Sequence, residues 1–231
     1  MKLPTPLLPA AVVRRVNRFT VEVTLGGLRV EAHLANSGRL GELLTPGAAC
    51  YIAPASSPGR RTAYDLVLVR FGDTLVSVDA RKPNPLFEEA LAERRLAAFA
   101  AYETWRREVL YNGCRIDFRL EGPGRPPCLV ETKSCTLVVD GAGYFPDAPT
   151  GRGERHVRAL IAARREGLGA AVVWVVQRPD ARALRPWEEA DPALTRALRE
   201  ARETGVQLVA YRCDVSLAET RIDGEIPVEL D

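Results

Sequence analysis

Two short stretches decide how this chain is read. They are Cys114-Arg115-Ile116-Asp117-Phe118-Arg119-Leu120 and Leu129-Val130-Glu131-Thr132-Lys133-Ser134, separated by the Gly/Pro-rich segment Glu121-Gly-Pro-Gly-Arg-Pro-Pro127. Successive side chains of a strand point to opposite faces, so Ile116, Phe118 and Leu120 share an apolar face and Asp117 points away with Arg115 and Arg119. Glu131 and Lys133 are two apart and share a face. Antiparallel pairing around the turn lets all three converge. Two carboxylates, completed by waters and phosphate oxygens, form the oxygen-rich shell that Mg²⁺ (or Mn²⁺) prefers. Such an ion polarises a scissile phosphate and helps to make hydroxide, while Lys133 orients the water or offsets developing charge. The pattern is short, and an ordinary hairpin with an exposed Asp, Glu and Lys would carry it equally well.

Composition sharpens Lys133. Of 32 basic residues, 29 are Arg, and the only lysines are Lys2, Lys82 and Lys133. An Arg is a planar fork that keeps its proton; a Lys is a compact charge, so a lone Lys in Glu-x-Lys looks selected. The five cysteines are scattered with no CxxC pair, which suits reduced thiols in a cytoplasmic protein rather than disulfides or a zinc site. No run approaches the roughly 18 apolar residues of a membrane span, and the N-terminus makes a poor signal peptide. Residues 1–82 hold 11 basic and 6 acidic side chains against 21 and 24 in the remainder. A basic front beside an acid-bearing rear suits phosphate binding next to a metal, although ordinary charge scatter gives the same count.

Around these stretches the periodicity changes once. From Val12 to about Asp79 short alternating runs (VNRFTVEVTL, LRVEAHL, AACYIA, YDLVLVRF, LVSVDA) predict five strands, with Phe19-Val21-Val23 and Tyr64-Leu66-Leu68 half-buried and Gly26-Gly27 as a hairpin turn. Five short strands predict a small β-barrel of the OB type. Arg81-Lys82-Pro83-Asn84-Pro85 reads as a linker, dividing the chain into residues 1–82 and 83–231. Beyond it the pattern predicts a helix over 86–98, strands over 108–120 and 128–138, and a helix from Thr150 to about Glu166. A doubly buried strand over 170–176, a helix over 191–203 and a strand over 206–211 follow. The fold class is therefore mixed α/β, with a barrel in front.

Val130-Glu-Thr-Lys-Ser134 and Arg115-Ile-Asp-Phe118 resemble the sugar fermentation stimulation protein A (SfsA) family. So do His33-Leu-Ala-Asn-Ser-Gly-Arg39, Phe145-Pro-Asp-Ala-Pro-Thr150 with Arg152, Gly153 and His156, Gln177-Arg-Pro-Asp180, and Tyr211-Arg-Cys213. The motifs keep their order from about Val12 to Val215. The resemblance implies an N-terminal OB-like domain, a C-terminal restriction-endonuclease-like PD-(D/E)xK domain, DNA binding, and a role in regulating sugar (maltose) metabolism. Asp117, Glu131 and Lys133 fall on the nuclease motif, with Ile116 where a Pro is usual. Glu88 or Glu89 resembles the helix carboxylate that often joins such metal sites, and Gln177 resembles the Gln that some related nucleases place beside the metal.

Other residues are read from the chain itself. Arg152 and His156 are four apart, so both occupy one helical face, as a phosphate-binding or proton-shuttling pair would. Asn36-Ser37-Gly38-Arg39 follows a strand and offers backbone donors, a hydroxyl and a guanidinium to a phosphate, with Arg14, Arg15, Arg18, Arg60 and Arg61 nearby in sequence. There is no P-loop, dinucleotide fingerprint or Ser-His-Asp arrangement, so no nucleotide cofactor is expected. The expectation is a DNA-binding protein with a Mg²⁺-dependent phosphodiester-hydrolysing site. A non-catalytic DNA-binding regulator and an RNA-processing enzyme are the alternatives, and oligomeric state is left open, a homodimer included.

Overall fold

A computed structural model of the chain describes residues 1–55 and 60–230. The first half forms β1 (Leu8–Asn17), β2 (Thr20–Leu25), β3 (Leu28–His33), β4 (Ala49–Pro54), β5 (Tyr64–Phe71) and β6 (Thr74–Ser77). Their order is β3-β2-β1-β4-β5-β6, and β3 also pairs in parallel with β5 through Ala32↔Tyr64 and His33↔Asp65. That last pairing closes the first five strands into an OB barrel, filled by Val12, Val21, Val23, Ile52, Leu66 and their neighbours. Gly26 and Gly27, at φ +57° and +85°, make the β2–β3 turn as the sequence predicts.

Two barrel expectations need correcting. VNRFTVEVTL is not one strand. Asn17 Oδ1 accepts the Phe19 N–H at 2.9 Å and the register pairs Asn17 with Thr20, so Arg18 and Phe19 form a two-residue turn between β1 and β2. Phe19 is consequently 45% exposed rather than half-buried. Nor is β5 half-buried, since Leu66 to Val69 are all covered. Leu66 and Val69 face the barrel interior, whereas Val67 and Leu68 pack into the core of the second half. The two halves thus share apolar packing.

The second half contains α1 (Pro83–Ala92), β7 (Thr104–Tyr111), β8 (Cys114–Glu121), β9 (Cys128–Cys135), β10 (Val138–Val139), β11 (Ala142–Phe145) and α2 (Gly151–Arg165). It ends with β12 (Gly169–Val176), β13 (Ala183–Pro186), α3 (Pro192–Glu203), β14 (Gln207–Val215) and β15 (Thr220–Ile226). The main sheet runs β15-β14-β12-β9-β8-β7, parallel through β9, β12 and β14 and antiparallel at both edges. Along β12, Ala171, Val173 and Val175 pack with α1, and Ala170, Val172, Trp174 and Val176 pack with α2 and α3. This is why AAVVWVV carries no alternation: both faces are covered by helices.

The long strand read over 108–120 is instead the β7–β8 hairpin. Asn112 and Gly113 turn it at φ +45° and +70°, a conformation Asn and Gly tolerate best. The helix read over 86–98 starts earlier and stops sooner. Pro83-Asn84-Pro85 is its first turn, where proline's fixed φ and missing N–H are harmless, and a separate 3₁₀ turn covers Ala97–Phe99. Helices α2 and α3 begin where the sequence predicts, next to Thr150 and Asp191, whose side chains cap them by accepting the N–H groups of Gly153 and Leu194 at 3.0 Å. At the front of the chain, the Met1 amine meets Glu89 at 2.8 Å and the Leu3 N–H bonds the Ala218 carbonyl, so the first residues sit on the second half.

All five cysteines are free thiols. Burial pushes Cys50 and Cys135 up to about 12 and Cys128 up to about 11, and raises Cys213 as well. Only Cys114 is partly exposed. Ellman's reagent should therefore modify a single thiol quickly in the folded protein and the other four only on denaturation. Rapid native modification of several thiols would contradict this packing.

Candidate functional site

The site sits where β8 and β9 meet. The ladder Phe118↔Val130 places Asp117 opposite Glu131, at the end of the pairing between the two strands. The alternation read for β8 breaks here. Ile116 packs with the cluster under α2, but Phe118 and Leu120 pack with the cluster under α1. The three therefore do not share one face, and Asp117 lies at the irregularity instead of on a plain outer surface. On the neighbouring strand Glu108, which would pair with Asp117, has φ +55°.

Asp117 is held from the α1 side. Its Oδ2 accepts from the backbone N–H of Thr132 at 2.8 Å and from the Thr132 hydroxyl at 3.0 Å, and its Oδ1 accepts from Asn84 Nδ2 at 2.9 Å. The Thr132 hydroxyl also touches Asn84 Oδ1. Burial, with the nearby charge of Glu131, raises the Asp117 pKa above the usual carboxylate value.

Glu131 is held from the α2 side and is 4% exposed. Its Oε1 accepts from Lys133 Nζ at 2.5 Å and meets His156 Nδ1. His156 Nε2 accepts from Arg152 Nε at 3.4 Å; Arg can only donate, so the imidazole carries its proton on Nδ1. Burial works against the Glu131 charge, but Lys133 and His156 outweigh it and hold the pKa below its ordinary value. The other oxygen, Oε2, is buried without a hydrogen-bond partner. An orphaned carboxylate oxygen beside a second carboxylate is costly unless something cationic completes it. The donor set fits a hard divalent ion. Among the described residues no three His, Cys, Asp or Glu side chains gather at one point, so two carboxylates would leave most positions to water and phosphate, as Mg²⁺ tolerates.

Lys133 lies at the edge of a cleft of about 440 Å³ between the barrel and the second half. Arg18, Asn36, Ser37 and Gly38 line one wall; Lys133, Ser134, the 144–150 segment and Arg152 line the other. The loop 36–39 is not the open phosphate cradle the sequence suggests. Asn36 is spent on structure, donating to the Val78 carbonyl and accepting the Gly38 N–H, and the Arg39 N–H goes to Asp147 Oδ2 at 2.7 Å. A Cβ on Gly38 would lie 2.4 Å from that same oxygen, so only glycine admits the contact. Arg15 is likewise committed, its guanidinium donating to the carbonyls of Asn17, Arg18, Asn36, Gly38 and Arg39. Ser37, Arg18 and Arg152 remain in the cleft, while Arg14 pairs with Glu22 and lines no part of it.

Three further expectations find different settings. Glu88 accepts from Trp105 Nε1 at 2.9 Å and Arg107 at 3.1 Å, and Glu89 holds the N-terminal amine, so neither joins the two carboxylates. The helix residue that reaches Asp117 is Asn84, one turn earlier. Reading Pro83-Asn84-Pro85 as a linker hid it; recognising proline at a helix start would have exposed it. Gln177 is fully buried and joins the two halves. Its Nε2 donates to the Asp79 carbonyl (3.0 Å) and Ser134 Oγ (2.9 Å), and its Oε1 accepts from Ser77 Oγ (2.9 Å). It touches the neighbour of Lys133, with no donor left over.

A family model described as the SfsA N-terminal OB domain matches residues 13–78, and one described as the sugar fermentation stimulation protein RE domain matches residues 81–219. The chain belongs to the SfsA family. A sugar fermentation stimulation protein homolog of Moorella thermoacetica is 46% identical over 231 residues, covering all of both chains. One from Chloroflexus aurantiacus is 47% identical over 223 residues, covering 96% of this chain and 86% of its own. The structure of Pyrococcus furiosus SfsA in complex with Ca²⁺ superposes with a TM-score of 0.90 at 30% identity, covering 99% of this chain and 98% of that one. The OB barrel followed by a mixed α/β domain is thus an SfsA architecture throughout. Among the described residues no helix is long and apolar enough to cross a membrane.

Proposed function

We propose that this SfsA chain is a divalent-metal-dependent nuclease that holds DNA in the cleft between its two halves. The observation that carries this is the buried, orphaned Glu131 Oε2, with Asp117 near it and Lys133, bonded to the same carboxylate, on the edge of the cleft. The Ca²⁺ held by the archaeal relative supports a hard, oxygen-seeking ion. Asp117 and Glu131 would hold the metal, which when bound polarises a phosphate and acidifies a water. Asn84 and Thr132 fix the Asp117 carboxylate; His156, itself oriented by Arg152, fixes Glu131. Lys133 supplies a compact positive charge for the negative charge that develops on the phosphate oxygens. Arg18 and Arg152 take flanking phosphates without reading sequence.

One observation favours a binding-only protein. Glu131 is already neutralised by Lys133, and among the described residues no third acidic ligand is at hand. Wild type and Lys133→Ala, incubated with plasmid, single-stranded DNA and RNA in Mg²⁺, Mn²⁺ or EDTA, separate the two readings. Metal-dependent cleavage that falls about 100-fold or more in the variant is expected. DNA affinity with no cleavage of any substrate in any metal would establish the binding-only protein instead.

A further inference from the structure

The barrel carries a second concavity, of about 530 Å³, lined by Phe19, His33, Arg60, Arg61, Arg81 and their neighbours. It adjoins the cleft along two chain segments. Arg18 lines the cleft and Phe19 the concavity; Ala80 lines the cleft and Arg81 the concavity. The ridge between the two is the β1–β2 turn, whose tip bears an exposed aromatic ring. The Arg18 guanidinium lies over that ring at 5.3 Å from its centroid, and the His33 ring lies 6.4 Å away at 33°. Nothing in the barrel core needs Phe19 at this position.

The guanidiniums around the ridge fall into two groups. Arg14, Arg60 and Arg81 are each tied to a carboxylate, on Glu22, Asp65 and Asp79. Among the described residues Arg18, Arg39, Arg61 and Arg152 have no carboxylate partner. Guanidiniums without a carboxylate partner therefore line the cleft at Arg18 and Arg152, the latter bonded to His156, and one more, Arg61, lies beyond the exposed ring. An aromatic face between Arg18 and Arg61 is what a polynucleotide with unstacked bases requires: phosphates meet Arg, and a base meets the ring. A duplex offers no such face, because each base is already covered by its neighbours.

We propose that a single-stranded polynucleotide runs from the cleft over the β1–β2 turn, stacking a base on Phe19 beside His33 and setting phosphates on Arg18 and Arg61. The path rests on the nucleic-acid reading of the cleft, and it names the strand form that the site accepts. Base–aromatic stacking of this kind is sequence-tolerant, so affinity depends little on which base arrives.

The test is fluorescence anisotropy in EDTA with labelled oligothymidylate, oligouridylate and a DNA duplex of the same length, so binding is read without cleavage. Phe19→Ala should weaken oligothymidylate about 10-fold and leave duplex binding within a factor of two or so, because only the single strand loses a stacking face. Phe19→Tyr should restore wild-type affinity, and Arg61→Ala should lower the salt slope for the single strand by about one. An equal loss for oligouridylate places RNA in the same path; a loss confined to one of the two assigns the strand's sugar. Unchanged single-strand affinity in Phe19→Ala, or an equal loss for the duplex, overturns the path while leaving the cleavage reading intact. Failure of wild type to bind any of the three overturns the nucleic-acid reading itself.

Discussion

Alanine at Glu131 is expected to abolish thermal stabilisation by divalent cations. A ligand that binds only the folded state at 100 times its dissociation constant stabilises by about 2.7 kcal/mol, which for a chain of this size is roughly 5–10 °C in Tm. Wild type should show this with Ca²⁺ or Mn²⁺, and Glu131→Ala should show none. The buried Oε2 has no other partner to lose, so the cation-dependent difference reports the site directly. The variant's own Tm in EDTA will shift as well, because Lys133 and His156 lose their shared acceptor; the readout is therefore the difference between cation and EDTA. Any cleavage should fall at least about 1,000-fold, since one carboxylate would hold the ion poorly. A cation-induced rise in Tm that survives in the variant would place the ion elsewhere.

Gln177→Ala should destabilise the protein by about 3–5 kcal/mol and lower its Tm by roughly 6–20 °C. The substitution strands the Ser77 and Ser134 hydroxyls and the Asp79 carbonyl, and leaves a void at the joint between the two halves. Ser134 lines the cleft wall next to Lys133, so nucleic-acid affinity should fall along with stability. A residue whose work is confined to chemistry would behave oppositely, losing rate with its Tm unchanged. Thermal melts and affinity measured on the same preparation distinguish the two. An unaltered Tm would show that the interdomain bonds contribute nothing net.

The two predictions concern residues that the sequence reading singled out for one role and that the structure sets in very different surroundings. Glu131 was legible because strand alternation puts it with Lys133 on one face, and a cross-strand partner follows from the turn. Asp117 was legible in its pairing but not in its packing: the break between Ile116 and Phe118 lies at the irregularity opposite Glu108, where the ladder skips a pair, and no alternation rule contains it. Asn84 was missed because Pro-Asn-Pro reads locally as a linker, and only the helix behind it turns the prolines into a helix start. Glu88 was misplaced by the same segment, as the residue facing the strands depends on where the helix begins.

The sequence by itself determined what depends on neighbours along the chain. The barrel-then-α/β order, the Gly26-Gly27 turn, the helix starts at Thr150 and Asp191, the doubly buried β12 and the Asp117, Glu131, Lys133 set all rest on local periodicity and turn chemistry. Tertiary structure alone decided who meets whom across long separations. It spent Asn36 and Arg15 on their own loop, brought Asp147 onto the Arg39 N–H, and made Gln177 a joint instead of a free amide. The reason is physical: a buried polar group takes whatever partner burial forces on it, and that partner is chosen by the packing of two domains, not by spacing in sequence.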